Sequence, residues 1–292
     1  MITRRRMLQG TAAASLAWAL PARAAGGIGR LSAGFDAVEA ESGGRLGLAV
    51  LDTGSGARVG HRAGERFPMC STFKLLAAGA ILTRVDADQE RLDRRIRFRA
   101  ADLPPGYAPV TRQHVGGAGM SIAALCEAAL TYSDNGAANL LLAALGGPTA
   151  ITAFARTLGD RTTRLDRIEP SLNQSIPGDP RDTTTPAAML GNLRRLVLRD
   201  ALTPASRGQL ARWLMANHTG DARIRAGLPA GWRIGDKTGT GDYGSTNDVA
   251  VIWPPDRAPI LISIYLTQTD APAEQRDATL AKVARIVADA VS

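Results

Sequence analysis

A serine and a lysine near residue 70 could form a nucleophile and its base. Ser71 and Lys74 are three residues apart at a predicted helix start, so their side chains share one face of its first turn. A serine hydroxyl is a weak nucleophile until a base takes its proton, and a lysine with a lowered pKa can do so. Only three of the 35 basic residues are lysines. Arginine cannot exchange a proton in this way, because its guanidinium stays charged.

Three further polar motifs follow along the chain. Ser133-Asp134-Asn135 separates two apolar helical stretches, Glu169-Pro170-Ser171-Leu172-Asn173 lies in a long aperiodic segment, and Lys237-Thr238-Gly239 follows a predicted strand. Taken alone, each motif has a purely structural interpretation. The first could be a loop or helix cap, the second a surface glutamate, and the third a strand that ends in a turn. Together with Ser71 and Lys74, they indicate a serine acyl enzyme activated by a lysine and a carboxylate.

The elements that must position these motifs are strands near both ends of the chain and helices between them. Alternation and turn residues predict strands over 45–52, 57–61, 232–237, 248–253 and 260–267. Helices are predicted over 28–42, 72–76 and onward, 122–130, 137–145, from the Thr185-Pro186 cap, and over 273–291. Residues 159–184 lack periodicity, and loops of that length are usually functional or disordered.

Strands at both ends imply that the terminal segments share one sheet. We therefore expect an α+β protein with a discontinuous α/β sheet domain, residues 26–62 plus 217–292. A helical domain, residues 63–216, is inserted between these segments and includes the active-site loop 160–184. The sheet would be antiparallel and five-stranded, flanked by helices.

The N-terminal 25 residues read as an export signal. Arg4-Arg5-Arg6 precedes a short apolar run and an A-x-A site near Ala24-Ala25, and the pattern resembles a twin-arginine signal as well as an ordinary secretory one. Part of the formal net charge of +8 belongs to this segment. Aromatic residues make up only 4% and no basic cluster interleaves with them, so nucleic-acid binding is not expected.

The cysteines and histidines offer no competing chemistry. Cys70 and Cys126 are predicted to be buried thiols that pack as small hydrophobes. A cysteine nucleophile would need a histidine partner, and His61, His114 and His218 have no motif around them. No metal-ligand spacing of His and Cys occurs, so neither a metal nor another cofactor is expected.

Taken in order, the motifs S-x-x-K, S-D-N, the glutamate loop and K-T-G resemble those of the class A serine β-lactamases. The resemblance covers essentially the whole chain after the signal. It implies hydrolysis of the β-lactam amide bond of penicillins and cephalosporins, with a small-molecule substrate as the only partner. It also implies a periplasmic monomer that confers antibiotic resistance.

The resemblance assigns four catalytic residues. Ser71 would open the ring and form an acyl ester, and Lys74 would belong to the proton relay that activates it. Ser133 would pass a proton to the departing ring nitrogen. Glu169 would activate the water that hydrolyses the ester, while the acylation base, Glu169 or Lys74, is disputed for the family.

The resemblance also implies substrate contacts. Asn135 would bind the amide side chain of the substrate, and the backbone N–H groups of Ser71 and Thr240 would form the oxyanion hole. The full set implied to bind substrate or hold the water is Asn135, Asn173, Lys237, Thr238, Gly239, Thr240, Tyr107 and Arg223. In this set Lys237, Thr238 and Thr240 would hold the carboxylate, and Tyr107 would form the wall at the cleft entrance.

Glu169 separates the leading interpretation from its alternatives. Penicillin-binding D,D-peptidases share the serine, lysine and K-T-G elements but lack the glutamate loop, so their acyl-enzymes persist. A non-hydrolytic β-lactam sensor of the same fold would bind without turnover. Arg167 and Asp182 match residues that pair to close the loop in the family.

Departures from the family pattern concern the substrate range. Some carbapenem-hydrolysing relatives join the cysteine before the nucleophile to one just after K-T-G-T. This chain has the first cysteine, Cys70, but Gly241 occupies the position of the second, so this bridge cannot form. Thr240, Asp242 and Arg276 resemble branches that also accept oxyimino-cephalosporins.

Overall fold

The long strands come from the two ends of the described chain and the helices fill its middle. The structure, a computed structural model, describes residues 31–291. Its strands are β1 (Arg45–Asp52), β2 (Arg58–His61), β3 (Phe67–Pro68), β4 (Arg95–Ile96), β5 (Met120–Ser121), β6 (Thr183–Thr184), β7 (Arg233–Thr240), β8 (Thr246–Trp253) and β9 (Ile260–Thr267). Its α-helices are α1 (Ser32–Ser42), α2 (Phe73–Asp86), α3 (Ile122–Thr131), α4 (Asn135–Leu145), α5 (Thr149–Thr157), α6 (Pro186–Val197), α7 (Pro204–Met215) and α8 (Ala273–Val291).

One five-stranded sheet joins the N-terminal and C-terminal segments. Its order is β2-β1-β9-β8-β7, and every pair of neighbours is antiparallel. Strand β7, which carries the Lys237-Thr238-Gly239 motif, therefore lies at an edge with one side unpaired. The predicted α+β fold class with a five-stranded antiparallel sheet is confirmed.

The sheet is covered on both faces, so the central strand β9 is buried along its whole length rather than on alternate residues. In β8, Val249 and Val251 face the core shared with the inserted helices. Their neighbours Ala250 and Ile252 face the second core, beneath α1 and α8. This division follows from the two-residue repeat of strand side chains. The sheet thus forms the wall on which the helical insertion packs.

Side-chain caps fix the helix starts that matter most for the site. Asp134 caps α4, since its carboxylate accepts a hydrogen bond from the Ala137 N–H at 2.8 Å. Thr185 caps α6 with Pro186 at the first helical position, which confirms the predicted cap. The stop of α4 at Gly146, in the left-handed conformation, is also as predicted.

The structure corrects one strand boundary. The sequence predicted that Lys237-Thr238-Gly239 follows the end of a strand, but β7 continues through the motif to Thr240, which pairs with Thr246. Gly239 was expected to let a substrate approach the backbone closely, and its missing Cβ also leaves room for the backbone of Met69. A Cβ there would lie 2.8 Å from the Met69 carbonyl oxygen. The motif is consequently held by strand pairing rather than by a turn.

Among residues 31–291, no single helix is long and apolar enough to cross a membrane. Helices α4 and α5 reach that length and hydropathy only together, as a pair bent by 71°. The predicted signal, residues 1–25, and the predicted helix start at residue 28 lie outside the described residues.

The contact between β1 and Phe67 gives a test of core packing. A Cβ on Gly47 would lie 2.3 Å from Phe67 Cε2. The ring is fully buried, and Arg45 stacks 4.0 Å from its centroid, so it has little room to shift. We expect Gly47→Ala to lower the free energy of unfolding by about 1–3 kcal/mol in chemical denaturation. Gly64→Ala is the matched control, since Gly64 is exposed and a Cβ there meets no atom within 4 Å. Equal unfolding midpoints for the two variants would contradict this packing.

Candidate active site

Ser71 lies in a single turn of 3₁₀ helix, Cys70–Thr72, that leads directly into α2. Lys74, in the first turn of α2, donates a hydrogen bond from Nζ to Ser71 Oγ at 2.9 Å. Lys74 has no exposed surface and Ser71 is only 8% exposed. The predicted serine and lysine are therefore in direct contact beneath the surface.

The Lys74 ammonium is surrounded by oxygens. Besides Ser71, its Nζ contacts Asn135 Oδ1 at 2.7 Å, the Ser133 carbonyl oxygen at 2.8 Å and Glu169 Oε1 at 3.0 Å. Burial lowers the pKa of Lys74 and the negative charge of Glu169 opposes that shift. Because these effects oppose each other, the amine can hold or release a proton as its neighbours change.

Glu169 completes the contact from the other side of the cleft. Its Oε1 accepts a hydrogen bond from Ser71 Oγ at 3.2 Å, and its Oε2 accepts one from Asn173 Nδ2 at 2.6 Å. Asn139 fixes the backbone: its Nδ2 donates to the Glu169 carbonyl and its Oδ1 accepts from the Glu169 N–H, both at 2.9 Å. Sequence reasoning missed Asn139, although a lone amide in the apolar helix α4 was the available signal.

A second set of contacts closes the loop that carries Glu169. Arg167 Nε donates to Asp182 Oδ2 at 2.5 Å, and Asp182 Oδ1 accepts from the N–H groups of Asp166 and Arg167. The Asp182 side chain is 1% exposed. The two ends of the loop are therefore joined by an ion pair and by backbone hydrogen bonds to one buried carboxylate.

Ser133 lies between the two lysines. It occupies the short connection from α3 to α4 with a φ of 57°, and its Oγ accepts a hydrogen bond from Lys237 Nζ at 3.1 Å. Lys74 Nζ lies 3.4 Å from the same oxygen. Burial and the nearby Lys74 charge hold the pKa of Lys237 well below its usual range. A hydroxyl between two amines can pass a proton in either direction.

Arg223 supports the end of β7. One nitrogen, Nη1, donates to the carbonyl oxygens of Gly239 and Asn247 at 2.9 and 2.8 Å, and Nη2 donates to Thr240 Oγ1 at 2.8 Å. Its Nε donates to Asp277 at 2.7 Å. Asp277 was not identified from the sequence, since nothing local distinguishes it from other acids of a surface helix.

These groups border one cleft of about 350 Å³. Its walls are Ser71, Tyr107, Ser133, Asn135, Asn173, Thr219, Arg223, Thr238, Gly239 and Thr240. Nine of the twelve predicted site residues line this cleft. The other three, Lys74, Glu169 and Lys237, are buried beneath its surface. Thr219, whose hydroxyl contacts that of Thr238, is a lining residue that the sequence did not indicate.

The cysteines remain free thiols, as predicted, and both are buried. Cys70 Sγ lies 3.4 Å from Ser175 Oγ, and burial raises the pKa of Cys70 to about 12. A Cβ on Gly241 would lie 2.7 Å from this sulfur, so glycine leaves room for the thiol. His61 pairs with Glu39 at 2.7 Å and takes no part in the cleft.

Within residues 31–291, no group of three or more His, Cys, Asp or Glu side chains is arranged to hold a metal ion.

Comparison with known proteins gives one consistent family. A family model described as the β-lactamase enzyme family matches residues 30–291. β-Lactamase CTX-M-8 of Citrobacter amalonaticus is 53% identical over 253 residues, covering 87% of this chain and 86% of that protein. β-Lactamase OXY-2 of Klebsiella oxytoca is 49% identical over 283 residues, covering 94% and 96%. The solved structure of an ancestral (GNCA) class A β-lactamase aligns with a TM-score of 0.88 at 63% identity, covering 89% of this chain and 100% of that one.

The buried thiols allow a direct chemical test. With a pKa of about 12, Cys70 is about 10⁻⁴ thiolate at pH 8, and Cys126 is also fully buried with a raised pKa. We expect neither thiol of the folded protein to react with Ellman's reagent on the scale of minutes, and both to react in guanidinium chloride. Rapid reaction of one thiol in the folded protein would contradict the described packing around Cys70 or Cys126.

Proposed function

The chain belongs to the class A serine β-lactamases, and we propose that it opens the β-lactam ring with Ser71 and hydrolyses the acyl ester with Glu169. It is a β-lactam hydrolase. The observation that carries the assignment of residues is the buried contact of Ser71 with both Lys74 and Glu169, at 2.9 and 3.2 Å. No other serine in the cleft contacts both an amine and a carboxyl group in the described residues.

Acylation begins when Ser71 Oγ loses its proton and attacks the ring carbonyl carbon. Lys74 Nζ and Glu169 Oε1 are both within hydrogen-bonding distance of Oγ and lie 3.0 Å apart. A proton from the serine can therefore reach Glu169 directly or by way of Lys74. Backbone N–H groups of Ser71 and Thr240 would stabilise the negative charge that forms on the carbonyl oxygen.

Ring opening leaves a nitrogen that needs a proton. Ser133 supplies it in the proposed mechanism, and Lys237 and Lys74 flank its hydroxyl at 3.1 and 3.4 Å. Lys237 also provides positive charge for the substrate carboxylate, together with the hydroxyls of Thr238 and Thr240. Arg223 positions Thr240 through the hydrogen bond to its Oγ1.

Deacylation distinguishes a hydrolase from an acyl-binding relative. Glu169 would remove a proton from a water molecule that attacks the ester at Ser71. Asn173 supports this proposal, because its Nδ2 binds Glu169 while its Oδ1 is buried and accepts no hydrogen bond from the described residues. That oxygen is free to accept a hydrogen bond from the attacking water.

We propose the remaining substrate contacts by the same placement in the cleft. Asn135 would bind the amide of the substrate side chain while its Oδ1 holds Lys74. Tyr107, 55% exposed at the rim, would form the aromatic wall. Gly239 would let the substrate approach β7 closely, since this strand has an unpaired edge.

The setting in which the enzyme works is also a proposal. Residues 1–25 have the charge, apolar run and A-x-A site of an export signal, which supports a periplasmic location. We also propose that the enzyme acts as a monomer. We propose a division into a sheet domain, residues 26–62 and 217–292, and a helical domain, residues 63–216. The supporting feature is that β1, β2, β7, β8 and β9 belong to the first and α2 to α7 to the second.

Replacement of Glu169 tests the deacylation step. We expect Glu169→Ala to form an acyl-enzyme with a chromogenic cephalosporin and to release it at least about 10³-fold more slowly than the parent enzyme. Intact-protein mass spectrometry should show one covalent adduct, and Ser71→Ala, the matched control, should show none. Parental turnover by Glu169→Ala would contradict the role of Glu169, and retained hydrolysis by Ser71→Ala would contradict the nucleophile.

Replacement of Asn139 tests how Glu169 is positioned. Asn139→Ala removes both hydrogen bonds to the Glu169 backbone. We expect deacylation to slow about 10-fold or more while acylation in single-turnover measurements changes less. Gln113→Ala is the control, because it removes an exposed amide that binds only the Pro109 carbonyl. Equal deacylation rates in the two variants would contradict a positioning role for Asn139.

A further inference from the structure

A second cavity, larger than the catalytic cleft, lies along α6. Its volume is about 770 Å³, and none of its lining residues lines the catalytic cleft. Five arginines border it: Arg58, Arg194, Arg195, Arg199 and Arg207. Only two carboxylates, Asp160 and Asp200, border the same space, so the lining carries a formal excess of three positive charges.

Three of these arginines have no side-chain partner within residues 31–291. The side chains of Arg58, Arg194 and Arg199 make no hydrogen bond or ion pair with any other described residue. Arg195 reaches Asp200 only at 3.8 Å. Burial, together with the positive charges of Arg199 and Arg58, lowers the pKa of Arg194, so these guanidinium groups are close enough to repel one another.

The carboxylates do not neutralise this cluster. Asp160 is 8% exposed, and its Oδ1 accepts from the N–H groups of Thr162 and Thr163 at 2.7 and 3.0 Å. Its Oδ2 accepts from Asn192 Nδ2 at 2.7 Å. Asp160 is thus engaged within the fold, and the exposed Asp200 is the only other acid in the cavity lining.

Asn192 adds an independent observation. It is 1% exposed and lines the same cavity, and its Oδ1 accepts no hydrogen bond from the described residues. An unpaired acceptor in the lining of a cavity that unpaired guanidinium groups border complements a ligand that carries both negative charge and a hydroxyl donor. Hydrogen phosphate and phosphomonoesters with a free hydroxyl have this combination.

We propose that this cavity is a binding site for a phosphate-type dianion, held by Arg58, Arg194 and Arg199. The planar guanidinium fork matches the oxygens of a phosphate group and binds them in pairs. A bound dianion would also relieve the repulsion among the three arginines. The site is separate from the catalytic cleft, since no residue lines both.

Thermal unfolding with inorganic phosphate tests the site. At constant ionic strength, we expect millimolar phosphate to raise the melting temperature by about 3 °C when it is in tenfold excess over its Kd, and chloride not to do so. The double variant R58Q/R194Q should lose this shift and retain β-lactam turnover, because neither residue lines the catalytic cleft. Arg97→Gln is the matched control, since Arg97 is exposed, forms no ion pair with a described residue and lies outside the cavity. It should keep the full shift.

Two outcomes would overturn the proposal. One is a phosphate-dependent shift that is unchanged in R58Q/R194Q, which would indicate a general salt effect. The other is the absence of any shift together with no binding of the parent protein to vesicles that contain phosphatidic acid.

The same vesicles identify the source of the phosphate group. If the ligand is a lipid headgroup, the parent protein should sediment with phosphatidic acid vesicles but not with phosphatidylcholine vesicles, and R58Q/R194Q should stay in solution. If the ligand is a free phosphate compound, the thermal shift should appear without sedimentation. Either result supports a phosphate site at these arginines.

Discussion

The contact between Lys74 and Glu169 is the interaction on which the active site depends. The ammonium nitrogen and carboxyl oxygen are 3.0 Å apart, and neither side chain has exposed surface. Removing one partner of such a pair typically costs about 3–5 kcal/mol, because the other charge stays buried without compensation. Helix α2 and the loop from Gly159 to Thr184 must therefore dock against each other. Ser71 then falls within hydrogen-bonding distance of both groups without any further adjustment.

Because the loop carries one half of this pair, its position has to be fixed without a large core of its own. Leu165 and Leu172 are its only apolar side chains in the main hydrophobic core. Hydrogen bonds fix the remainder of the loop. The Asn139 side chain binds the Glu169 backbone, and the Asp182 carboxylate binds the backbone at the other end of the loop. Directional bonds fix an atom more sharply than apolar contacts do. The loop thus gains precise placement of Glu169 from few contacts, which explains why its sequence shows no periodic pattern.

The sequence alone predicted the sheet and the catalytic motifs but not the groups that join them. Strand β9 and helix α8 were predicted with the bounds they have, because apolar runs and turn residues are local signals. The end of β7 was predicted too early, because only the pairing with β8 shows that the strand continues to Thr240. Asn139 and Asp277 were missed for the same reason. Their partners are distant in sequence, and a single amide or carboxylate has no local pattern.

The choice between lysine and arginine follows from what each can do when like charges are close together. Lys74 and Lys237 are both fully buried, and the charge of Lys74 contributes to the lowered pKa of Lys237. A lysine pair can relieve this repulsion by releasing a proton, and that proton is what the chemistry at the cleft requires. Arg58, Arg194 and Arg199 cannot relieve theirs in the same way, because a guanidinium does not lose its proton in water. Charge among them can be balanced only by an anion, so the same repulsion that serves proton transfer in the cleft favours ligand binding at α6.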